Sequence, residues 1–551
     1  MPESRVDVVF TGNFWTAGLP GPVTGAVGIT GDVITAVEHA PSAVEELTSS
    51  ARRVIETGDG LLLPGFQDAH VHPIMAGVRL QECALHDPES AEQFLDAIDR
   101  YARTHPDREW ITGAGWTFAA FPDGGPRREL LDAICGGRPA ALVVRDEHAV
   151  WVNTAALEQA GITSTTPDPM GGRIQRDRSG VPTGVLHEAA MALLNDVKPV
   201  PSAADLDTAL IAAQRTLHTH GVTAWQDALV GNFGDIADVY DTYHRAAAAG
   251  RLTARVSGAL FYEPSLGIDQ IAEMAARRDA ATGLFTTHTV KIMQDGIPEN
   301  HTAAMHAPYL DVTGLPTDIT GDSLIAPDVL DEVIHALQSA GFDMHFHTMG
   351  DRALTEVLNA LEKTPNPGDL RHQIAHLQSV RPSDIARFAP LNVTANIQPL
   401  WAAHGQQMDH LCIPLIGAER ADQQFPFADL ARADVRLAAG SDWPVSDPSP
   451  MQAIHVAVNR VAPGSDTDAP VFIERQRLSL VQALTAYTVG GAYVNRLDRT
   501  GTIAPGMLAD LTLLDRDPFT TAPLDLHSIL PIGTFVGGTQ VWAADEYQFP
   551  A

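Results

Sequence analysis

The feature that most limits how this chain can fold is an alternation that runs from residue 66 to residue 442. Eight short apolar segments recur: 66–72 (FQDAHVH), 222–228 (VTAWQDA), 254–261 (ARVSGALF), 288–295 (HTVKIMQD), 342–347 (FDMHFH), 372–377 (HQIAHL), 392–398 (NVTANIQ) and 435–442 (VRLAAGSD). Stretches with helical spacing lie between most of them, such as AADLDTALIAAQRTLHTHG and APDVLDEVIHALQSAG. Parallel strands need a crossover between them, and a helix is the usual one. Eight such units predict an α/β fold, a (β/α)8 TIM barrel. The first two segments are about 150 residues apart, far more than one crossover helix requires. Residues 78–200 therefore read as a subdomain inserted after strand 1, and their PDPMGGRIQRDRSGVPTGVL has the Gly/Pro texture of a hairpin.

Both ends of the chain have a different texture. VDVVFTG, GAVGITGDVITAVE and RRVIETGDGLLLPG near the start, and 501–518 and 534–544 near the end, alternate apolar residues with turn residues. They predict one small β-sandwich-like domain built from residues 1–63 and 490–551. The barrel then comprises 64–77 and 201–489. No fixed-period repeat or low-complexity tract interrupts this plan.

A net charge of −32 disfavours nucleic acid and anionic membranes as partners, because phosphates would be repelled. No apolar segment is long and clean enough to span a bilayer, and MPESRVDVVFTGNFW lacks the basic and apolar regions of a secretory signal. Cys83, Cys135 and Cys412 are scattered and odd in number, which fits a reducing cytoplasm. A small-molecule substrate is the expected partner. Of 36 basic residues only Lys198, Lys291 and Lys363 are lysines, so each lysine invites a reason.

The polar residues of the eight segments gather at their C-terminal ends, where a barrel carries its active site. His70 and His72 are spaced i, i+2 and point to one face of a strand. They can chelate one divalent ion, or be two hydrogen-bonded histidines. Lys291 sits between Val and Ile, where an unpaired buried charge is costly. It can pair with Asp295 or another carboxylate, snorkel to the rim, or lose its proton and take up CO2 as a carbamate. His345 and His347 repeat the i, i+2 pattern, His376 ends the sixth segment, and His372 starts it and should face the barrel bottom. Asp442 follows Gly-Ser at the end of the eighth, as a ligand or as a helix N-cap.

Taken together, GFQDAHVHP, VKIMQDG, TAAMHAPY, HTMGDRA, IAHLQ, AAGSDWPV and GTIAPGMLADL resemble the amidohydrolase superfamily, and within it the amidohydrolase 3 branch of YtcJ-like and N-substituted formamide deformylase-like enzymes. RDEHAVWVNTAAL resembles the branch's usual Asp-Gly-His pattern, with Glu147 in place of Gly. The resemblance implies that His70, His72 and Asp442 bind one metal, that His347 and His376 bind a second, and that a carboxylated Lys291 bridges them. Zinc is the expected metal, one or two ions per chain, and a homodimer the expected assembly.

The implied activity is hydrolysis of an amide-like C–N bond: an N-substituted formamide, acyl amine, carbamate or urea. Water activated at the metal attacks, and Asp442 acts as the proton shuttle. A heterocycle deaminase is the nearest alternative. Such enzymes carry a glutamate three residues after the strand-5 histidine, but here that position is Gly350. A non-catalytic scaffold is the remaining alternative, disfavoured because every ligand position is filled. Trp116, His148, Trp151, Glu188, Asp295, Glu299, His301, His306 and Trp401 are the candidates for contact with substrate, the tryptophans hinting at a bulky apolar or aryl group.

Overall fold

The structure, a computed structural model, describes residues 6–121, 125–232 and 237–545. The first five residues of the N-terminal stretch read for a leader lie outside them. Eight parallel strands form the central sheet: β1 (Phe66–Val71), β2 (Val222–Val230), β3 (Arg255–Phe261), β4 (Phe285–Met293), β5 (Asp343–Thr348), β6 (Gln373–His376), β7 (Thr394–Ile397) and β8 (Leu437–Ala439). They follow one another in chain order from β1 to β8, each paired in parallel with the next. Each of the eight sequence segments supplies one strand. Helices such as Ala203–Thr219, Pro327–Ser339 and Asp351–Lys363 pack outside the sheet with one apolar stripe buried. Ser202 starts the first of these with a capping box closed by Asp205.

The two edge strands of this sheet meet near their C-terminal ends. Asp442 N donates to His70 O (2.7 Å) and His72 N donates to Trp443 O (2.9 Å). Lower down, the buried Asp68 carboxylate accepts from Ser441 N (3.0 Å) and from His70 N (3.1 Å). Asn396 Nδ2 reaches across to Ala69 O (2.9 Å). The approach is close enough to demand glycine: a Cβ on Gly440 would lie 2.5 Å from His70 N and 2.7 Å from His70 Cβ.

Strands at 6–14, 23–30, 33–38, 51–56 and 61–64 join 511–514, 531–536 and 539–543 in one eight-stranded sheet. Leu61–Pro64 pairs antiparallel with Leu511–Leu514, so the two termini meet at the entrance to β1. Gly65 N donates to Asp510 O at that corner (2.8 Å), and the Asp510 carboxylate takes a two-pronged bond from Arg255 on β3 (2.7 and 3.0 Å).

Between β1 and β2, strands at 83–84, 111–116, 140–144, 149–152, 172–176 and 182–188 make a six-stranded sheet. Strand alternation divides its side chains into two small cores. Trp116, Leu142, Val144 and Trp151 pack on one face, and Ala141, Val143, Val150 and Val152 on the other. The three cysteines are buried free thiols. Among the described residues no helix is long and apolar enough to cross a membrane.

The closeness of β8 to β1 makes a direct prediction. Gly440→Ala should lower the unfolding free energy by about 1–3 kcal/mol, because backbone atoms have to move apart. Urea unfolding monitored by circular dichroism measures it. A variant as stable as the parent would mean that the strands are not held this tightly.

Candidate metal centre

His70 and His72, at the end of β1, both aim Nε2 at one carboxylate. His70 Nε2 is 3.4 Å and His72 Nε2 is 3.1 Å from Asp442 Oδ1. The ligand atoms of these three residues all lie within 4.8 Å of one another. Asp442 reaches this place because it adopts φ 57° directly after the Gly440-Ser441 turn, so its side chain leaves the strand line and enters the barrel mouth.

His376 completes the group from β6. It also has a positive φ, 74°, and its Nδ1 stands 4.0 Å from Asp442 Oδ2 without a hydrogen-bond partner although it is buried. Its ring lies 4.7 Å from that of His70 and 4.5 Å from that of His347. Lys291 on β4 is 1% exposed and, among the described residues, its Nζ has no hydrogen-bond or ion-pair partner. Its register neighbour on β5 is His345, and Met293 on β4 pairs with His347. All six residues that the resemblance implied as ligands come together in one place, the wall of a single cavity.

Electrostatics suit a cation at that point. Burial holds the His70 and His376 imidazoles well below their usual range, with neighbouring cationic groups adding to the effect, so both rings are neutral and offer lone pairs. Burial also lowers Lys291 to about 7, against the pull of Asp442. Burial works against the Asp442 carboxylate, but its hydrogen bond and charge interaction with His72, and the nearby His376 and Lys291, hold it below the ordinary value. A cluster of buried neutral imidazoles, an ionised carboxylate and an orphaned Nδ1 is a donor set that fits zinc or a similar divalent ion.

His347 is oriented by a residue that the sequence had suggested for substrate. Asp295 is fully buried and accepts from His347 Nδ1 (3.2 Å), Met349 N (3.0 Å), Gly350 N (2.7 Å) and Ala304 N (3.0 Å). Its carboxylate has no room for a substrate; it holds the ring so that Nε2 faces inward. His345 is also fully buried and meets His70 Nδ1 through Nε2 (2.9 Å). The i, i+2 spacing puts His345 on the same strand face as His347, a signal the sequence carried without a role attached. His372 lies at the opposite end of β6 and accepts from Met344 N (3.2 Å).

A cavity of about 930 Å³ opens above the ligands. His70, His72, Lys291, His347, His376 and Asp442 form part of its wall, and Met75, Phe118, Met191, Leu229, Phe261 and Met293 give it apolar sides. Trp401, His148, Glu188 and Glu299 line it as well. Trp401 stacks on His376 at 5.2 Å, with the rings 8° from parallel. Four other candidates do not line it. Trp116 and Trp151 are fully buried in the inserted unit, packed edge to face at 5.9 Å, because strand alternation turns them into its core. His306 is exposed and contacts Thr355 Oγ1 through Nε2 (3.1 Å). His301 turns away at φ 61° and packs against Tyr309.

Glu147 also lines the cavity and has φ 64°, a left-handed conformation that glycine adopts without strain. Arg79 Nη2 donates to its carboxylate (2.9 Å) and steadies it there. Beside it, His148 Nδ1 meets Glu188 Oε2 (2.9 Å), and Glu188 accepts from Asn300 Nδ2 (3.1 Å) and Thr302 Oγ1 (3.0 Å). Burial alone would lower His148, but the charge and hydrogen bond of Glu188, with Asp146 behind, raise it to about 9. Burial likewise opposes the Glu188 carboxylate, and His148 outweighs it and holds Glu188 below the ordinary value.

The sign of the resulting pH effect follows from these directions. The stability that His148 contributes is complete below the ordinary imidazole pKa and is lost as pH rises through about 9. The Glu188 part is present above the ordinary carboxylate pKa and is lost as pH falls through its lowered value. His148→Gln should thus flatten the fall in melting temperature between about pH 7 and about pH 10. Parallel thermal melts of parent and variant across that range check it, and superimposable pH profiles would remove the ion pair.

Comparison with known proteins identifies the family and the fold. The chain is 29% identical over 526 residues to a putative amidohydrolase, YtcJ, of Bacillus subtilis, covering 95% of this chain and 96% of that protein. It is 26% identical over 571 residues to the N-substituted formamide deformylase of Arthrobacter pascens, covering 98% of each. The crystal structure of an uncharacterized metal-dependent hydrolase from Pyrococcus horikoshii shares the fold, with a TM-score of 0.73, 22% identity, and coverage of 94% of this chain and 99% of that one. Residues 53–542 match the model of the Amidohydrolase family, and the chain belongs to that family of hydrolases.

Proposed function

We propose that this protein is a metal-dependent hydrolase that cleaves a C–N bond in an amide-like small molecule, with N-substituted formamides, acyl amines, carbamates and ureas as the substrate classes to test. One observation carries the reading. His70, His72 and Asp442 hold their ligand atoms within 4.8 Å, while His376 Nδ1 and Lys291 Nζ, among the described residues, lack partners beside them at the floor of a large cavity.

His70, His72 and Asp442 would hold one divalent ion, zinc being the best fit to the donors, and His347 and His376 would serve a second. A bound ion supplies Lewis acidity, which lowers the pKa of water and polarises a carbonyl. Burial lowers Lys291 to about 7, which makes its neutral amine accessible near neutral pH. Its Nζ lone pair can bond to the carbon of CO2, releasing one proton, and the resulting carbamate would supply oxygen donors to a bound metal.

Asp442 takes the proton of the attacking water and returns it to the leaving nitrogen, which therefore departs as a neutral amine. Trp401 walls one side of the floor, and the apolar sides exclude bulk water. A deaminase-type glutamate is sterically barred. A Cβ on Gly350, three residues after His347, would meet Ala304 O at 2.1 Å, so no side chain can stand there.

Purified protein should contain one or two equivalents of metal by elemental analysis and hydrolyse members of an amide panel after zinc or manganese addition. Protein without stoichiometric metal, and inert toward every amide after that addition, would defeat the reading. Asp442→Asn should fold and lose about 10²–10⁴-fold in kcat. Lys291→Ala should lose bound metal along with activity, and unchanged metal content and activity would eliminate the carbamate bridge.

A further inference from the structure

Beneath the ligands, the barrel interior carries a line of amide side chains that the hydrolytic scheme does not use. Gln226 on β2, Gln373 on β6 and Asn396 on β7 are each fully buried, as is His345 on β5. Four apolar side chains would fill the same space at less cost, because every buried polar group needs a partner. These groups are instead joined end to end. His376 N donates to Gln398 Oε1 (2.9 Å), and Gln398 Nε2 donates to Asn396 Oδ1 (2.9 Å). Asn396 Nδ2 donates to Gln373 Oε1 (2.8 Å) and to Ala69 O (2.9 Å). Gln373 Nε2 donates to Gln226 Oε1 (2.7 Å), which also faces His345 Nδ1 (2.6 Å).

The direction of every bond in this line is decided by two backbone groups. The His376 amide can only donate, so the Gln398 atom facing it is oxygen. The Ala69 carbonyl can only accept, so the Asn396 atom facing it is nitrogen. Both anchors demand the same orientation, and the intermediate amides transmit it without conflict. Gln226 must therefore present oxygen to His345, and His345 Nδ1 must carry the proton. Nε2 of that neutral ring is then a lone pair facing His70 Nδ1 at 2.9 Å. His70 is obliged to hold its proton on Nδ1, and its Nε2 lone pair points at Asp442 and the metal position.

We propose that His345 is a positioning residue which, with Gln226, Gln373 and Asn396, locks His70 in the one tautomer that can bind a metal through Nε2. The proposal deepens the metal-dependent reading and rests on it for its purpose, although the tautomer itself can be read without metal. The alternative tautomer of His70 would direct an N–H at the ion and lose the ligand. Fixing it in advance spares metal binding the cost of rearranging a buried network.

The test separates relay from packing with two variants of similar side-chain size. His345→Leu removes the acceptor for His70. His345→Gln keeps a carbonyl toward His70 and an amide toward Gln226, reproducing both bonds. Metal-free protein labelled with ¹⁵N-histidine, its His70 signals assigned by comparison with His70→Gln, reports which ring nitrogen is protonated. The parent and His345→Gln should show a protonated Nδ1, and His345→Leu a mixture. Zinc titration against a chelator should find His345→Leu weaker by about 10–100-fold and His345→Gln within about threefold of the parent.

A His70 protonated on Nε2 in the parent would overturn the relay. So would equal losses of zinc affinity in both variants, which is what a packing role predicts, or no loss in His345→Leu. A parent that fails to bind zinc while showing the Nδ1 tautomer would sink the metal reading and leave the lock standing. The two failures are thus distinguishable.

Discussion

The site depends on β1 being pressed against β8. Every ligand on β1 is useful only if Asp442, which lies 370 residues away at the end of β8, is brought to within bonding distance. That is achieved by backbone bonds from Asp442 to His70 and from His72 to Trp443, by the Asp68 carboxylate lying across the junction, and by the missing side chain of Gly440. Asp68 is buried and its carboxyl is pushed up to about 7, since burial outweighs the amides that it accepts from. The fold accepts that cost because two backbone donors at the junction would otherwise be buried without partners.

The polarity of the interior follows from the same geometry. A barrel that packs layers of branched aliphatic side chains needs no hydrogen bonds within it. This one places imidazoles and amides in those layers and has to satisfy each of them. Asp295 orients His347 from one side, and the line from Gln398 to His345 orients His70 from below. His376, whose buried Nδ1 has no hydrogen-bond partner among the described residues, and Lys291 both line the cavity above.

Much of the barrel was legible because its signals are local. Apolar strands of three to nine residues, separated by helical spacing, mark βα units whatever the rest of the chain does, and each of the eight segments became a strand. The candidate ligands were legible for a related reason. The C-terminal end of a strand is a position along the chain, and i, i+2 spacing is a fixed relation between side chains. The pocket was less legible. Trp116 and Trp151 look like aromatic walls in the sequence, but strand alternation in the insert turns both into its core, and no local pattern tells which face of that sheet is covered. His301 and His306 sit on a loop whose path depends on Tyr309 and Thr355. Asp295 appears beside Lys291 as a partner or a substrate contact, and only its four donors show that it orients His347.

The sequence by itself determined the strand-helix alternation, the chemistry present at each strand end and the family to which the chain belongs, since these rest on residue type and short-range spacing. Tertiary structure alone decided which carboxylate meets which imidazole, which polar groups are left free to hold an ion, and how a backbone amide at His376 and a carbonyl at Ala69 orient the side chains between them. Those outcomes depend on distances between residues far apart in the chain, and such distances exist only once the first strand and the last have closed on each other.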